Sequence, residues 1–483
     1  MSFSTWERTA RGAPRFPALP AGRSGGARGG ALTLLTTVSA ALVACLPALG
    51  AALYVARSTV DVPYYDQWRF VPLLQKLADG TLGWSDLTAQ HDGHRVILAR
   101  LVTLASARFA GWNNLVEVWA GFACLAATAG LLLRCHWRTA PPDRPPAWRL
   151  LSALPFLSAL FSLRQWENLL APWAATAYAG VLLVLAALWL ESRERPRTAA
   201  AMATAVVASL TFTNCLLVWP LAMALPFLER WWPRDRAAAP RIWRSLAVWT
   251  AGLAIFCAAY FRGYQLASQQ LSGRTSYLMR FLVALGTPLS YTPGVIAGGA
   301  LPFDPAAAVP TAALLGLAVL LSIGLSILAM RRTGSGDVPL LVAFAGFGVG
   351  SVLLLALGRS NLGVGQALSS RYTTWATVAV VAALFLLRAA AASRRWLRPL
   401  HAAAAIGVLA TNLVAFRVEF PIGAYRGAGL ARWAEVVRHY RTATDAELAN
   451  PHYSPEAIRE WSRILERLRL SAFRHAGPET ADR

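Results

Sequence analysis

The sequence predicts an all-α fold: a polytopic transmembrane helical protein of about eleven spans, with interfacial helices in its first outer loop. Three observations carry this. The 483 residues are 56% hydrophobic and only 14% charged, against roughly 25% charged in a soluble domain. Many apolar runs approach the length of about 20 residues that a bilayer-crossing helix needs. The arginines fall in short clusters between those runs, which is how orientation is written into membrane proteins.

Residues 1–30 are rich in Arg, Gly and Pro and read as a disordered, basic, cytoplasmic N-terminus. Arg8, Arg11, Arg15, Arg23 and Arg28 assign that side by the positive-inside preference. The first apolar run, about 31–56, is too long and too weakly terminated for a cleaved signal peptide and reads as a retained span. The chain then emerges near Arg57. The second span, about Asn114–Leu133, returns it to Arg134, Arg138 and Arg144. Runs near Leu150–Leu163 and Leu170–Leu190 make a hairpin ending at Arg193, Arg195 and Arg197. The pair Ala199–Thr213 and Cys215–Leu228 ends in the basic stretch Arg230 to Arg244.

The remaining spans are Leu246–Phe261, Val309–Met330, Val338–Leu357, Thr374–Leu387 and His401–Phe416. Two apolar stretches stand apart. Val96–Ala107 is short and contains Arg100, so it reads as an interfacial or re-entrant helix on the outer face. Phe281–Phe303 is broken by Pro288, Pro293 and Pro302, and reads as re-entrant or as crossing twice; a single crossing would turn every later Arg cluster outward. The predicted organisation is a transmembrane domain, 31–417, that includes the outer loop 57–113, followed by an extracytoplasmic helical tail, 418–483. Arg outnumbers Lys so heavily (Lys76 is the only Lys) that a GC-rich bacterial genome, and thus the bacterial cytoplasmic membrane, is the expected setting.

The net charge of +22 does not mark a nucleic-acid binder, because the basic residues form no single patch or stripe. Cys45, Cys124, Cys135, Cys215 and Cys257 lie within or beside spans, without disulfide or zinc-site spacing. No Gly-rich phosphate loop is present, so a nucleotide-driven mechanism is not expected. No Asp, Glu or Lys is expected to be buried mid-span, which argues against proton-coupled transport.

Chemistry is expected in the polar segments beside the spans. Asp61 and Asp66 sit in the aromatic-rich stretch Asp61-Val-Pro-Tyr-Tyr-Asp-Gln-Trp68. One of these carboxylates can take the proton of an acceptor hydroxyl, or hold a divalent cation beside a phosphate. The plainer reading makes Asp66 the N-cap of a helix over about Gln67–Ala78. His91 and His94 are three residues apart with Arg95 following; they can serve as a base, contact a phosphate, or simply form the polar start of the interfacial helix. They lack the third ligand a zinc site needs. Arg164-Gln-Trp-Glu-Asn168 occupies a very short outer turn, where Trp166 offers a stacking face and Gln165, Glu167 and Asn168 offer hydrogen bonds. Arg359 and Arg371 flank another outer loop. Arg371, just before a span and on the side where Arg is disfavoured, calls for an anionic partner: a lipid phosphate, or a carboxylate such as Asp66.

The combination Tyr65-Asp-Gln-Trp68, Gln90-His-Asp-Gly-His-Arg95, Gln165-Trp-Glu-Asn168 and Ser370-Arg-Tyr-Thr373 resembles the GT-C class of integral membrane glycosyltransferases, and within it a group of largely uncharacterised bacterial membrane proteins. The resemblance implies transfer of a sugar from a polyprenyl-phosphate donor to a glycan or lipid acceptor at the outer face. It casts Asp66, then Asp61 and His94, as catalytic. Arg95, Arg371, Arg359 and His91 would bind the donor phosphate, and Trp68, Gln165, Glu167, Asn168 and Tyr372 the sugar or acceptor. A cofactor, if one is used, would be a divalent cation (Mg or Mn) with Asp66 as ligand. The expected partners are membrane lipids, donor and acceptor, with no nucleic acid. Two other readings are a lipid-linked-glycan transporter or flippase, and a non-catalytic membrane protein of envelope assembly.

Overall fold

The computed structural model describes residues 27–91, 93–139, 143–232, 239–265, 274–290, 305–331, 337–359 and 363–474. The expected disordered N-terminus therefore lies almost wholly outside the described residues, as does 291–304 of the Pro-broken stretch. Among the described residues every regular element is a helix. A bilayer core offers no water to backbone groups, so apolar runs must satisfy them within the segment.

Helix α1 (Ala27–Ser58) leads into a 3-10 turn, Tyr65–Phe70, and three short helices, α2 (Val71–Ala78), α3 (Trp84–Thr88) and α4 (Ile97–Ala110). After α5 (Asn114–Thr139) the third apolar run breaks into α6 (Pro146–Leu151), α7 (Leu154–Leu160) and α8 (Trp166–Leu170). Then come α9 (Ala175–Glu191), α10 (Thr198–Ser209), α11 (Val218–Trp231), α12 (Ala239–Tyr260), α13 (Arg274–Gly286), α14 (Pro305–Met330), α15 (Val338–Gly358), α16 (Ser370–Ser393), α17 (Arg398–Arg438) and α18 (Pro455–Leu468). The eleven expected spans are thus helical over most of their length. Among the described residues eight helical segments are long and apolar enough to cross a membrane, while α9 and α10 are shorter apolar helices.

Helix α16 is the centre of the bundle, buried along nearly its whole length and packed against α14, α15, α7 and α17. The peripheral helices turn large apolar side chains outward, among them Leu35, Leu42 and Leu46 of α1, Leu321 and Leu328 of α14, and Leu413 of α17. A soluble protein rarely exposes such continuous apolar faces. Close helix contacts use small residues, as in other membrane bundles. A Cβ on Gly286 of α13 would lie 1.8 Å from the Ala312 carbonyl oxygen of α14, and one on Gly316 would lie 2.0 Å from that of Leu282.

Two expectations change. The helix that carries the last expected span does not stop at Phe416: α17 runs 41 residues, roughly 60 Å, about twice the hydrocarbon thickness. Pro421 lies within it without ending it. Buried on this continuation, beyond the expected span, is Glu419. Glu117 of α5 and Glu191 of α9 are buried as well.

The second change concerns the first loop and the tail, which were read as separate regions. They share one hydrophobic core of their own, apart from the core of the bundle, built from Trp68, Val71, Leu74 and Trp112 of the loop and Val437, Ile458, Leu465 and Phe473 of the tail. The amphipathic helix α18 lies on α2, and Trp68 stacks on Trp461 with ring centroids 6.2 Å apart. The result is a small cap on one end of the bundle. The expected interfacial helix is present in it as α4, ended by Gly111 in the left-handed conformation at φ +60°. Arg100, buried in α4, donates to the carbonyls of Leu87 and Ala89.

Candidate functional site

The two motifs predicted to line separate outer turns meet beneath the cap. Helix α16 starts at Ser370, and its first N–H groups have no partner inside the helix. Glu167, on the five-residue α8, supplies one: its Oε2 accepts from the Arg371 backbone N–H at 3.1 Å and from the Ser369 and Ser370 hydroxyls at 3.1 and 2.5 Å. A carboxylate at a helix N-terminus is also favoured by the helix dipole. Asn168 donates to the Arg371 carbonyl and to Thr374 Oγ1, both at 2.8 Å, and Thr374 passes its own proton to Gln165 Oε1 at 2.8 Å. Gln165, Glu167 and Asn168 are buried, so their polar groups serve this junction.

Arg371 therefore finds its anionic partner in Glu167, not in Asp66. Its Nε lies 3.9 Å from Glu167 Oε1 and donates to Ser369 Oγ at 3.2 Å. The side chain is 37% exposed, and its two terminal nitrogens make no hydrogen bond to the described residues. Tyr372 is buried in the bundle, which leaves its ring no open face for a sugar. Arg359 is exposed at the C-terminal end of α15, beside residues 360–362, which lie outside the described set.

One layer deeper is a charge cluster that the sequence reading missed. Glu419 Oε2 pairs with Arg426 Nη1 at 2.8 Å, and Arg164 Nη1 lies 4.0 Å from Glu419 Oε1, with Arg164 and Glu419 both essentially inaccessible. Arg426 also donates to the Tyr54 hydroxyl at 3.0 Å and stacks on the Trp166 ring at 3.6 Å. The available signal was the spacing of Glu419 and Arg426, seven residues apart and so on one helical face.

The Asp66 segment sits between this layer and the cap. Tyr65 has a positive φ of 45°, an uncommon backbone conformation for a side-chain-bearing residue. Its neighbour Tyr64, packed edge-on against Tyr65 at 4.1 Å, lies within electrostatic reach of Glu167 and Arg426, and burial pushes its hydroxyl pKa up. Asp66 points the other way. Its Oδ2 is 3.8 Å from His91 Nε2, and its Oδ1 accepts from the Tyr453 hydroxyl at 3.4 Å. The His91 imidazole, more than the partial burial that opposes it, holds this carboxyl below its ordinary value of 3.8. Asp66 is not the N-cap of the helix that follows; Gln67 accepts from the Tyr64 N–H and closes the turn instead.

Several other predicted residues have structural partners. Asp61 accepts from the Asn114 N–H at 3.0 Å, capping α5, and pairs with Arg474 at 3.2 Å. Trp68 is 1% exposed in the cap core, out of reach of a sugar. His91 and His94 exchange backbone hydrogen bonds across a tight turn, and their rings take different partners, Asp66 and Phe70 for His91 and Thr213 and Phe212 for His94; they do not open the helix as a polar first turn. His94 Nδ1 accepts from the Thr213 N–H at 3.2 Å, and the ring packs edge-on against Phe212. Arg95 donates to the carbonyls of Thr88, Tyr260 and Arg262, which clamps the loop to the end of α12.

Among the described residues no group of three or more His, Cys, Asp or Glu side chains could hold a metal ion. Mg and Mn favour oxygen ligands, and the groups around Asp66 are the His91 and His452 imidazoles, the Arg69 guanidinium and the Tyr453 phenol. The residues described there do not fit such an ion. Comparison of the chain with known protein families, with curated proteins and with solved structures finds no match.

Proposed function

We propose that the chain is a membrane glycosyltransferase, of the GT-C kind its motifs resemble, that moves a sugar from a polyprenyl-phosphate donor to a glycan or lipid acceptor at the outer face of a bacterial cytoplasmic membrane. Two features support this above the rest: Arg371 carries terminal nitrogens that make no hydrogen bond to the described residues, and Asp66 carries a half-exposed carboxylate, with Tyr64, two residues before it, within electrostatic reach of Glu167. In this reading Asp66 takes the proton of the acceptor hydroxyl as its oxygen bonds to the anomeric carbon. The carbon–oxygen bond to the donor phosphate breaks, and the phosphate leaves with the bonding electrons toward Arg371. A carboxyl held below its ordinary pKa is ionised at neutral pH, as a proton acceptor must be. No step is drawn through a metal.

The shared cap is consistent with the orientation read from the arginines. Loop and tail share a core, so an even number of crossings separates them. The eleven spans of this reading leave ten after the first, an even number, and the N-terminal arginines then put the N-terminus inside with the tail outside.

The test is Asp66→Asn in cells, with protein level monitored, followed by compositional analysis of envelope glycans. Loss of one glycan component at unchanged protein level is expected. Unchanged glycans in cells that depend on this chain for that component would remove the catalytic assignment.

A further inference from the structure

At the end of the bundle opposite the cap, a second arginine on α16, Arg388, has no counter-charge among the described residues. Arg388 follows Arg371 by seventeen residues, roughly 26 Å along the helix, close to the hydrocarbon thickness of about 30 Å. The two arginines thus mark the two headgroup levels of one buried helix. Arg388 Nη1 contacts Nδ1 of the buried His136, on the last turns of α5. His136 Nε2 lies 2.9 Å from the Arg149 carbonyl oxygen, which can only accept. The proton is therefore on Nε2, and Nδ1 offers Arg388 a lone pair but no charge.

No carboxylate lies within ion-pairing distance of Arg388 among the described residues, and its Nη2 is buried without a hydrogen-bond partner there. A guanidinium withdrawn from water needs an anion as well as acceptors. The narrow cleft beside it is lined by His136, Ser152, Phe156, Phe385 and His401, with Trp148 at 5.7 Å from the guanidinium carbon. This end of the bundle also carries Arg134, Arg138, Arg394, Arg395 and Arg398. Basic pockets between helices at a headgroup level are places where phosphate head groups bind.

We propose that Arg388, oriented by His136, binds the phosphate of an anionic phospholipid from the leaflet opposite the cap. A phosphate oxygen seated in the narrow cleft would supply the partner that Nη2 lacks among the described residues, while Trp148 and the outward apolar faces hold the acyl chains. This site is independent of the proposed transfer chemistry.

The full chain, purified in detergent and stripped of lipid, can be titrated with phosphatidylglycerol, with diacylglycerol of the same chains, and with inorganic phosphate, while thermal unfolding is followed. Phosphatidylglycerol should raise the melting temperature of the wild type and diacylglycerol should not. Arg388→Gln should weaken the phosphatidylglycerol response about tenfold, the scale of one charge-assisted hydrogen bond, with Arg388→Lys intermediate. If inorganic phosphate alone reproduces the wild-type shift and Arg388→Gln abolishes it, the same niche serves a free phosphate. Equal responses to phosphatidylglycerol and diacylglycerol in the wild type, a comparison that needs no variant, overturn the proposal. So does an undiminished response in a folded Arg388→Gln.

Discussion

Replacing Glu167 by Gln keeps the side chain's shape and removes its charge, which isolates what that charge does at the start of α16. Three donors converge on Glu167 Oε2: the Arg371 N–H and the hydroxyls of Ser369 and Ser370. A Gln oxygen can occupy the same position, so the bonds survive but become neutral. A charge-assisted hydrogen bond is about twice as strong as a neutral one worth about 1 kcal/mol net. Three such losses on one shared oxygen amount to about 2–3 kcal/mol. The Arg371 ion pair adds little, because it is long at 3.9 Å and the Arg is 37% exposed. Glu167→Ala, which leaves three donors without an acceptor, should cost about 3–5 kcal/mol. Equilibrium unfolding in mixed micelles, titrated with a denaturing detergent and followed by circular dichroism, gives both values. A double-mutant cycle with Ser370→Ala should show coupling of about 1 kcal/mol. A cost below about 0.5 kcal/mol for Glu167→Gln, or strict additivity with Ser370→Ala, would refute the junction as the element that joins the two motifs.

Three further outcomes follow from the structure. Gly286→Val places a side chain against the Ala312 backbone at a separation of 1.8 Å, so α13 and α14 must part; a loss of about 1–3 kcal/mol or more is expected in the same titration, and a neutral effect would show that the crossing is looser than described. Asp61→Ala removes the cap of α5 and the pair with Arg474, and should cost about 1–2 kcal/mol while speeding proteolysis of the tail; unchanged tail cleavage would count against the anchoring. The Asp66 carboxyl is held below its ordinary 3.8 chiefly by His91, so the stability it contributes is present above that value and is lost as the pH falls through the lower folded-state value. The advantage of the wild type over His91→Ala should then shrink as the pH falls below about 4, and stay small because Asp66 is half exposed; an advantage that grew on acidification below that pH would contradict this sign.

Legibility in the sequence tracked the range of the interaction. Helices and their approximate limits follow from runs of Leu, Ala and Val, because an apolar segment must close its own backbone hydrogen bonds. The polar motifs at the helix ends were also legible, since Gln, Glu, Asn and Arg concentrated beside apolar runs stand out by composition. Their roles were not. Glu167 reads alone as a sugar contact, and only the approach of α16, some two hundred residues later, makes it the acceptor for Ser369, Ser370 and Arg371. Trp68 and Asp61 read as site residues because they are aromatic and acidic near a membrane, yet packing assigns them to the cap core and to a helix cap.

The sequence by itself determined that this chain is a bundle of apolar helices with polar residues gathered at their ends, because hydropathy and backbone hydrogen bonding act over neighbouring residues. The tertiary structure decided which ends meet. It carried α17 past its expected end, buried Glu419 between Arg164 and Arg426, and joined the first loop to the tail in one core. It also separated Asp66, with His91 and Tyr453, from Arg371, with Glu167, while leaving Tyr64 between them. The physical reason is that a charge near a membrane takes whichever counter-charge the fold brings within a few ångströms, and sequence distance does not enter that choice.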